Sequence, residues 1–129
     1  MRRPARRAGF TLVEVLVALA IVSVALLAAM RAAGQGAVNA SELRARLFAG
    51  WVAENRLAEH RARQDWLELG IRRGTASQGG MLLAWREEVL PMPSPAFRRL
   101  DVFVFDPSEE SRSLAHLTGF LLLPPGTAR

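Results

Sequence analysis

Length, composition and charge limit what this chain is. Its 129 residues are 50% hydrophobic, contain no cysteine, and carry 17 arginines and no lysine against 12 acidic residues. Four of those arginines precede residue 9, so the rest of the chain is nearly neutral, and its arginines are spread out rather than gathered into one stripe. This distribution argues against nucleic-acid binding, and without cysteine no disulfide framework is available.

The most informative segment is an apolar run from Phe10 to Met30, which contains one carboxylate, Glu14, and no other charge. As a helix it covers roughly 30 Å, the thickness of the hydrocarbon core of a bilayer. An acid in such a segment costs of the order of 2–3 kcal/mol to insert and needs a functional reason. The basic residues before the run predict a cytoplasmic N-terminus, with the chain after Met30 in the periplasm of a Gram-negative cell.

Residues 9–14, with the sequence GFTLVE, resemble the processing motif of the type IV pilin-like family. The resemblance implies that prepilin peptidase removes a basic leader, residues 1–9, by cleaving between Gly9 and Phe10, and that Phe10 is then N-methylated. It also implies that Glu14 pairs with the freed amine of a neighbouring subunit. Such a pair satisfies two groups that lipid would leave bare and holds apolar helices in register during assembly.

A secretory signal peptide is the competing explanation of the same stretch. A basic start, an apolar region and small residues such as Ala28 and Ala29 fit it loosely. The apolar run is longer than the usual signal, and an acid at position 14 is out of place in a segment that only has to insert. The pilin-like interpretation is therefore preferred.

After Met30 the sequence stays helical in character but becomes amphipathic up to residue 69. Gly34 and Gly36 are predicted points of bending or local melting where the helix leaves the bilayer. Larger apolar residues then recur at i, i+4 spacing and predict one face that packs on a sheet. This predicted face consists of Leu43, Leu47, Trp51 and Ala58, with Phe48 and Val52 beside them.

Glu54 and Asn55 are predicted to point towards that apolar face, where each needs a hydrogen-bond partner. The partner is either loop backbone between helix and sheet or another subunit. The stretch from residue 53 to residue 59, AENRLAE, resembles the protein I family of type II secretion minor pseudopilins. We therefore expect a partner interface that includes Phe48, Trp51, Glu54 and Asn55.

Residues 70–129 are expected to form a small, mostly antiparallel sheet. The glycines between residues 70 and 80 indicate a connection after the helix. Three runs have strand character, with a hairpin turn at residues 106–111 between the last two. The runs are Met81–Leu90, Phe97–Phe105 and Leu114–Leu123. In the second run, Leu100, Val102 and Val104 share one face, and Phe103 and Phe105 share the other. Both faces are partly apolar, so one is expected to meet the helix and the other is a candidate subunit contact.

Catalytic and metal chemistry have little support in the sequence. His60 and His116 lack the spacing of a metal-binding pair, and no Gly-x-Ser-x-Gly nucleophile motif is present. Asp106, Glu109 and Glu110 lack the alternating ligand spacing of a calcium loop and are expected to form a solvated turn. We expect no catalytic residue, no cofactor and no bound metal.

The expected fold is α+β, with a long N-terminal helix, transmembrane in its first half, packed on a small sheet. Its predicted parts are a leader (1–9), a membrane and assembly helix (10–30), an amphipathic periplasmic helix (31–69) and a sheet region (70–129).

The resemblance implies a minor pseudopilin of the type II secretion system at the tip of the pseudopilus. Its implied partners are J- and K-like minor pseudopilins, the major pseudopilin, prepilin peptidase and the inner membrane. Two alternatives remain: a minor pilin of a type IV pilus or DNA-uptake machine, and a membrane-tethered periplasmic binding domain.

Overall fold

The computed structural model describes residues 9–126 and contains one helix followed by four strands. The elements are α1 (Leu12–Arg63), β1 (Gly70–Gln78), β2 (Met81–Pro91), β3 (Phe97–Asp106) and β4 (Glu109–Leu122). The strands form one antiparallel sheet in the order β1-β2-β3-β4. The predicted α+β fold is confirmed. The leader arginines, Arg2, Arg3, Arg6 and Arg7, lie outside the described residues.

The chain divides into two compact units, residues up to Ala40 and residues from Ser41 onward. The first unit is helical and contains a stretch that is long and apolar enough to cross a membrane, none of it buried in the protein. Gly34 and Gly36 lie inside the assigned helix, so the local melting predicted at these glycines is absent.

The second unit has its core between α1 and one face of the sheet. Its helical contribution is Ala49, Val52, Ala53 and Leu57, all at most 7% exposed. The strands contribute large apolar side chains from alternate positions, as the period of two in a strand requires. These are Leu83, Val89, Leu100, Val102, Val104 and Leu121. The expectation that one face of β3 meets the helix is therefore confirmed, and this face is the one with Leu100, Val102 and Val104.

The predicted sheet-facing side of α1 is wrong for its main row of residues, although Val52 is buried and Phe48 packs against the core as expected. Leu43, Leu47 and Trp51 are 60%, 52% and 49% exposed, and Ala58 is also exposed. At 100° per residue these side chains lie on the opposite side of the helix from the buried alanines. The physical reason is the short distance between helix and sheet. A Cβ added to Gly119 of β4 would lie 2.5 Å from Leu57 Cδ1. The helix therefore packs closely on β4 because Gly119 has no side chain.

The region predicted to be a connection, residues 70–80, contains a strand instead. β1 pairs with β2 from Gly70 opposite Val89 to Gln78 opposite Met81. Gly74 lies within this strand, and the reason for a glycine there is packing: the Trp85 indole occupies the space that a Cβ at position 74 would need. The connection itself is only a tight turn at Gly79 and Gly80, whose φ values of 57° and 77° suit a two-residue hairpin.

The turn between β3 and β4 is shorter than the predicted residues 106–111, because β4 already begins at Glu109 rather than Leu114. Asp106 organises this turn by accepting hydrogen bonds from Ser108 N at 2.8 Å and from Ser108 Oγ at 2.6 Å. These bonds favour the charged carboxylate and lower the pKa of Asp106. Because the Asp106 side chain closes the turn at Ser108, the polar residues from Glu109 onward can pair with β3 as a strand.

Helix α1 ends in a left-handed cap. Gln64 has φ of 54° and donates its N–H to Arg61 O at 3.2 Å, while Asp65 N donates to His60 O at 3.0 Å. This pair of bonds is the Schellman arrangement, in which glycine is the usual left-handed residue. The cap turns the chain away from the helix axis and brings Asp65 back towards His60.

Candidate subunit interface

The first candidate site is the beginning of α1. Thr11 N donates to Glu14 Oε2 at 3.2 Å, and Glu14 N donates to Thr11 Oγ1 at 3.2 Å. This reciprocal arrangement is a capping box, which satisfies two of the N–H groups left free at a helix start. Within the described part of the chain, Glu14 Oε1 has no partner. The residue before the box, Phe10, is 89% exposed.

The second candidate site is the side of α1 that faces away from the sheet. We call it the exposed α1 stripe, and its members fall within an arc of about 80° on the helix. They are Leu43, Leu47, Trp51, Glu54, Ala58 and Arg61. Trp51 is half-exposed, and its ring centroid lies 5.5 Å from that of Phe48. One part of the indole therefore packs on Phe48 and the rest is open to solvent. An exposed row of large apolar side chains of this kind marks an interaction surface.

Of the four residues predicted to form the interface, Trp51, Glu54 and Asn55 are exposed and Phe48 is half-buried. Glu54 lies on the row of Leu43, Leu47 and Trp51 as predicted, but Glu54 and Asn55 are exposed, so the expectation that loop backbone between helix and sheet satisfies them is wrong. Phe48 is half-buried against the core. It fills the space beside Gly79 in the β1–β2 turn, and Arg44 lies over its ring at 5.2 Å.

Two polar contacts hold the start of this part of α1 against the sheet. Arg44 Nη2 donates to Gly79 O at 3.3 Å, which ties the helix to the β1–β2 turn. Glu42 binds Arg112 of β4 and Arg46 of its own helix, the latter at 2.8 Å. The hydrogen bond from Arg112, followed by that from Arg46, lowers the pKa of Glu42. These contacts keep the exposed α1 stripe turned outward.

A buried polar cluster fixes the far end of α1, and sequence reasoning missed it. Glu87 of β2 is fully buried, and its Oε1 accepts from Arg56 Nε at 2.6 Å and lies 3.1 Å from His60 Nε2. His60 Nδ1 lies 2.8 Å from Asp65 Oδ2. Arg56 also stacks over the Trp85 ring at 4.0 Å. The cluster joins the helix, its cap and the sheet.

Two sequence signals could have revealed this cluster. Glu87 shares its strand face with Leu83, Trp85 and Val89, which makes it a carboxylate at a core position. Arg56 and His60 stand at i, i+4 spacing, so they present cationic groups on one side of the helix. Buried acids need such partners, and the helix is the element packed on this face.

The opposite face of the sheet carries a threonine, a histidine and an aspartate close together, but not in a catalytic order. Thr118 Oγ1 donates directly to Asp101 Oδ1 at 2.6 Å, and Arg99 binds Asp101 Oδ2. His116 stacks on Phe103 with ring centroids 4.3 Å apart, and its Nε2 lies 3.5 Å from Thr118 Oγ1. The threonine hydroxyl is much closer to the Asp101 carboxylate than to the imidazole, so the histidine is not placed as the base of a hydroxyl nucleophile. Among residues 9–126, no group of three or more His, Asp or Glu side chains could hold a metal.

Two family models match the chain. One, described as type II secretion system (T2SS), protein I, matches residues 43–122. The other, the prokaryotic N-terminal methylation motif, matches residues 4–30.

Similar proteins agree with these matches. A type II secretion system protein I of Pectobacterium carotovorum subsp. carotovorum is 38% identical, with 77% of this chain and 82% of that protein covered. That of Pseudomonas aeruginosa is 36% identical, with 90% of this chain and 95% of that protein covered.

A solved structure shares the fold. It is a chain of the GspK-GspI-GspJ complex from the type 2 secretion system of enterotoxigenic Escherichia coli. The match has a TM-score of 0.50 at 23% identity and covers 62% of this chain and 95% of that chain.

Proposed function

The chain belongs to the type II secretion system protein I family, and we propose that it acts as a minor pseudopilin at the pseudopilus tip. In this role it is a structural subunit that helps to initiate the pseudopilus, which exports folded proteins across the outer membrane. It is a scaffold and not an enzyme. Its function depends on burying helix surface in contacts between subunits.

The exposed α1 stripe is the observation that carries this proposal. A chain that worked alone would turn this row of large apolar residues towards its own sheet, but Ala49 and Ala53, with Val52 and Leu57, take that place. Leu47 and Trp51 are left about half-exposed, and tryptophan at the centre of a patch is the kind of residue that dominates interface energies. Arg44 and Glu42 hold the helix so that this side stays available.

The partners follow from the complex that shares the fold. That structure contains proteins named GspK, GspI and GspJ, and this chain shares the fold of one of its chains. We propose that J- and K-like minor pseudopilins bind this chain through Trp51, Glu54 and Asn55. Phe48 supports Trp51 from beneath. The major pseudopilin continues the filament below this tip.

Membrane insertion and processing complete the proposal. The apolar first half of α1 anchors the chain in the inner membrane, with the leader in the cytoplasm and the sheet in the periplasm. Prepilin peptidase cleaves between Gly9 and Phe10 and methylates the new N-terminus. Glu14 then offers the carboxylate oxygen that its own helix does not use to the amine of the next subunit.

The test is recovery of partners from membranes by a tagged, processed chain. We expect the wild-type chain to bring down J- and K-like pseudopilins. Trp51→Ala combined with Asn55→Ala should reduce that recovery roughly tenfold, as expected for loss of a central aromatic contact. Ile71→Ala is the matched control, because Ile71 is a similarly exposed apolar side chain on β1, away from the stripe.

Three other outcomes would each change the conclusion. Recovery of type IV pilus components would assign the chain to a pilus instead. The absence of any filament partner would leave a membrane-tethered periplasmic domain. An equal loss with Ile71→Ala would show that the helix stripe is not the interface.

A further inference from the structure

The exposed α1 stripe ends in two charges that this chain does not pair. Glu54 and Arg61 lie on the same side of α1, seven residues and so about 10.5 Å apart, too far to bind each other. Neither makes an ion pair or hydrogen bond with any side chain among residues 9–126. Both are exposed.

Every other charged side chain on this part of the helix has a partner within the chain. Glu42 binds Arg46 and Arg112, and Arg44 binds Gly79 O. Further along, Arg56, Glu59, His60 and Arg63 form the remaining ion pairs. The two exceptions are the ones that continue the row of Leu43, Leu47 and Trp51.

From this arrangement we infer that the stripe is complementary to one kind of partner: a parallel pseudopilin helix that presents a cation opposite Glu54 and an acid opposite Arg61. This inference rests on the proposed function, because two chains anchored by their N-terminal helices in the same membrane must run parallel. The partner helix carries apolar side chains against Leu43, Leu47 and Trp51. Its cation lies nearer the membrane, and its acid follows two helical turns later.

The same charges exclude a second copy of this chain in register. A parallel copy would place Glu54 against Glu54 and Arg61 against Arg61, and like charges at an interface select against that pairing. The apolar part of the stripe supplies binding surface that many helices would fit. The charge pair therefore sets the register and the identity of the partner, as charged positions do beside the seam of a coiled coil.

Charge reversal on the full, processed chain tests the inference by its affinity for purified J- and K-like pseudopilins in detergent. Glu54→Arg and Arg61→Glu should each weaken binding to one of them roughly tenfold, and the double reversal should weaken it further. Exchange of the partner's cation for glutamate and of its acid for arginine should restore binding to the double variant. The controls are Glu68→Arg and Arg72→Glu, which reverse exposed charges outside the stripe.

The possible results separate this inference from the proposed function. If both charge variants bind with wild-type affinity while Trp51→Ala loses binding, the inferred charge complementarity is wrong and the proposed pseudopilin function stands. Absence of binding by the wild-type chain would overturn the proposed function itself. Failure of the charge-exchanged partner to rescue the double variant, or recovery of a second copy as the partner, would also overturn the inference.

Discussion

Glu87 is fully buried in the sheet, and Arg56 of the helix donates to its Oε1 at 2.6 Å. Removal of one member of a buried ion pair leaves an uncompensated charge, which is strongly destabilising. We expect Arg56→Leu to lower the free energy of unfolding by roughly 3 kcal/mol, measured by urea denaturation. Arg46→Leu is the control, because it breaks a solvent-exposed pair that contributes little to stability.

The double variant Arg56→Leu with Glu87→Leu tests the cause of that loss. Replacing both charges by apolar side chains removes the unpaired carboxylate, so the double variant should be more stable than Arg56→Leu alone. A double variant less stable than the single one would show that the packing of the cluster, including the stack of Arg56 on Trp85, matters more than its charges.

Gly119 of β4 packs directly against the Leu57 side chain of α1. An alanine there would place its Cβ 2.5 Å from Leu57 Cδ1, inside the core. Overpacking of this kind costs about 1–3 kcal/mol, so Gly119→Ala should lower the thermal midpoint. Gly50→Ala is the counterpart on the helix, because nothing lies within 4 Å of its added Cβ. It should stabilise the chain by about 0.5–1 kcal/mol through helix propensity.

Gln64 holds the left-handed position of the helix cap with φ of 54°. Glycine adopts this conformation without the steric cost of a Cβ, so Gln64→Gly should raise the free energy of unfolding by about 1 kcal/mol. Gln64→Ala keeps the Cβ and should show no such gain. A thermal melt of the three proteins checks the order, and a gain shared by alanine would point to the Gln64 side chain rather than its backbone.

Glu42 connects the helix to Arg112 of β4, and this contact makes stability depend on pH. Its pKa is lowered below the ordinary value of 4.5, first by the bond from Arg112 and then by Arg46. A depressed folded-state pKa gives a contribution that is present above pH 4.5 and lost as the pH falls through the folded-state value. Titration of the Glu42 carboxyl by NMR should show the depression, and Arg112→Gln should bring the pKa back up. A Glu42 titration unchanged by Arg112→Gln would assign the shift to Arg46.

Glu14 closes the capping box of α1 and, in the proposed function, also pairs with the amine of a neighbouring subunit; one pair of substitutions separates these two roles. Glutamine keeps an oxygen that accepts from Thr11 N, so Glu14→Gln preserves the helix cap but removes the charge, whereas Glu14→Ala removes both. If pairing with the neighbour's amine drives assembly, both variants should be processed and neither should enter the pseudopilus. Normal incorporation of Glu14→Gln would show that the cap, and not the charge, is required. Immunoblots of sheared filaments provide the measurement.

The fold class and the N-terminal motif were readable from the sequence because each depends on a local pattern. The apolar run from Phe10 to Met30 needs only length and composition to indicate a membrane helix. The strands from Met81 onward alternate as a half-buried sheet should. Strand β1 was not predicted, because Gly70 and Gly74 are typical of loops. In the structure Gly74 lies in the strand and makes room for Trp85.

The orientation of the helix was decided only in three dimensions. The sequence by itself shows that α1 has a row with Leu43, Leu47 and Trp51 and another with two alanines, Val52 and Leu57, but composition alone does not say which row meets the sheet. The missing Cβ of Gly119 makes room for Leu57, and the bonds from Arg44 to Gly79 and from Arg112 to Glu42 join residues far apart in the chain. These contacts leave Leu47 and Trp51 outside. The residues of the exposed α1 stripe can be read from the sequence, but their exposure follows from how the helix packs on the sheet.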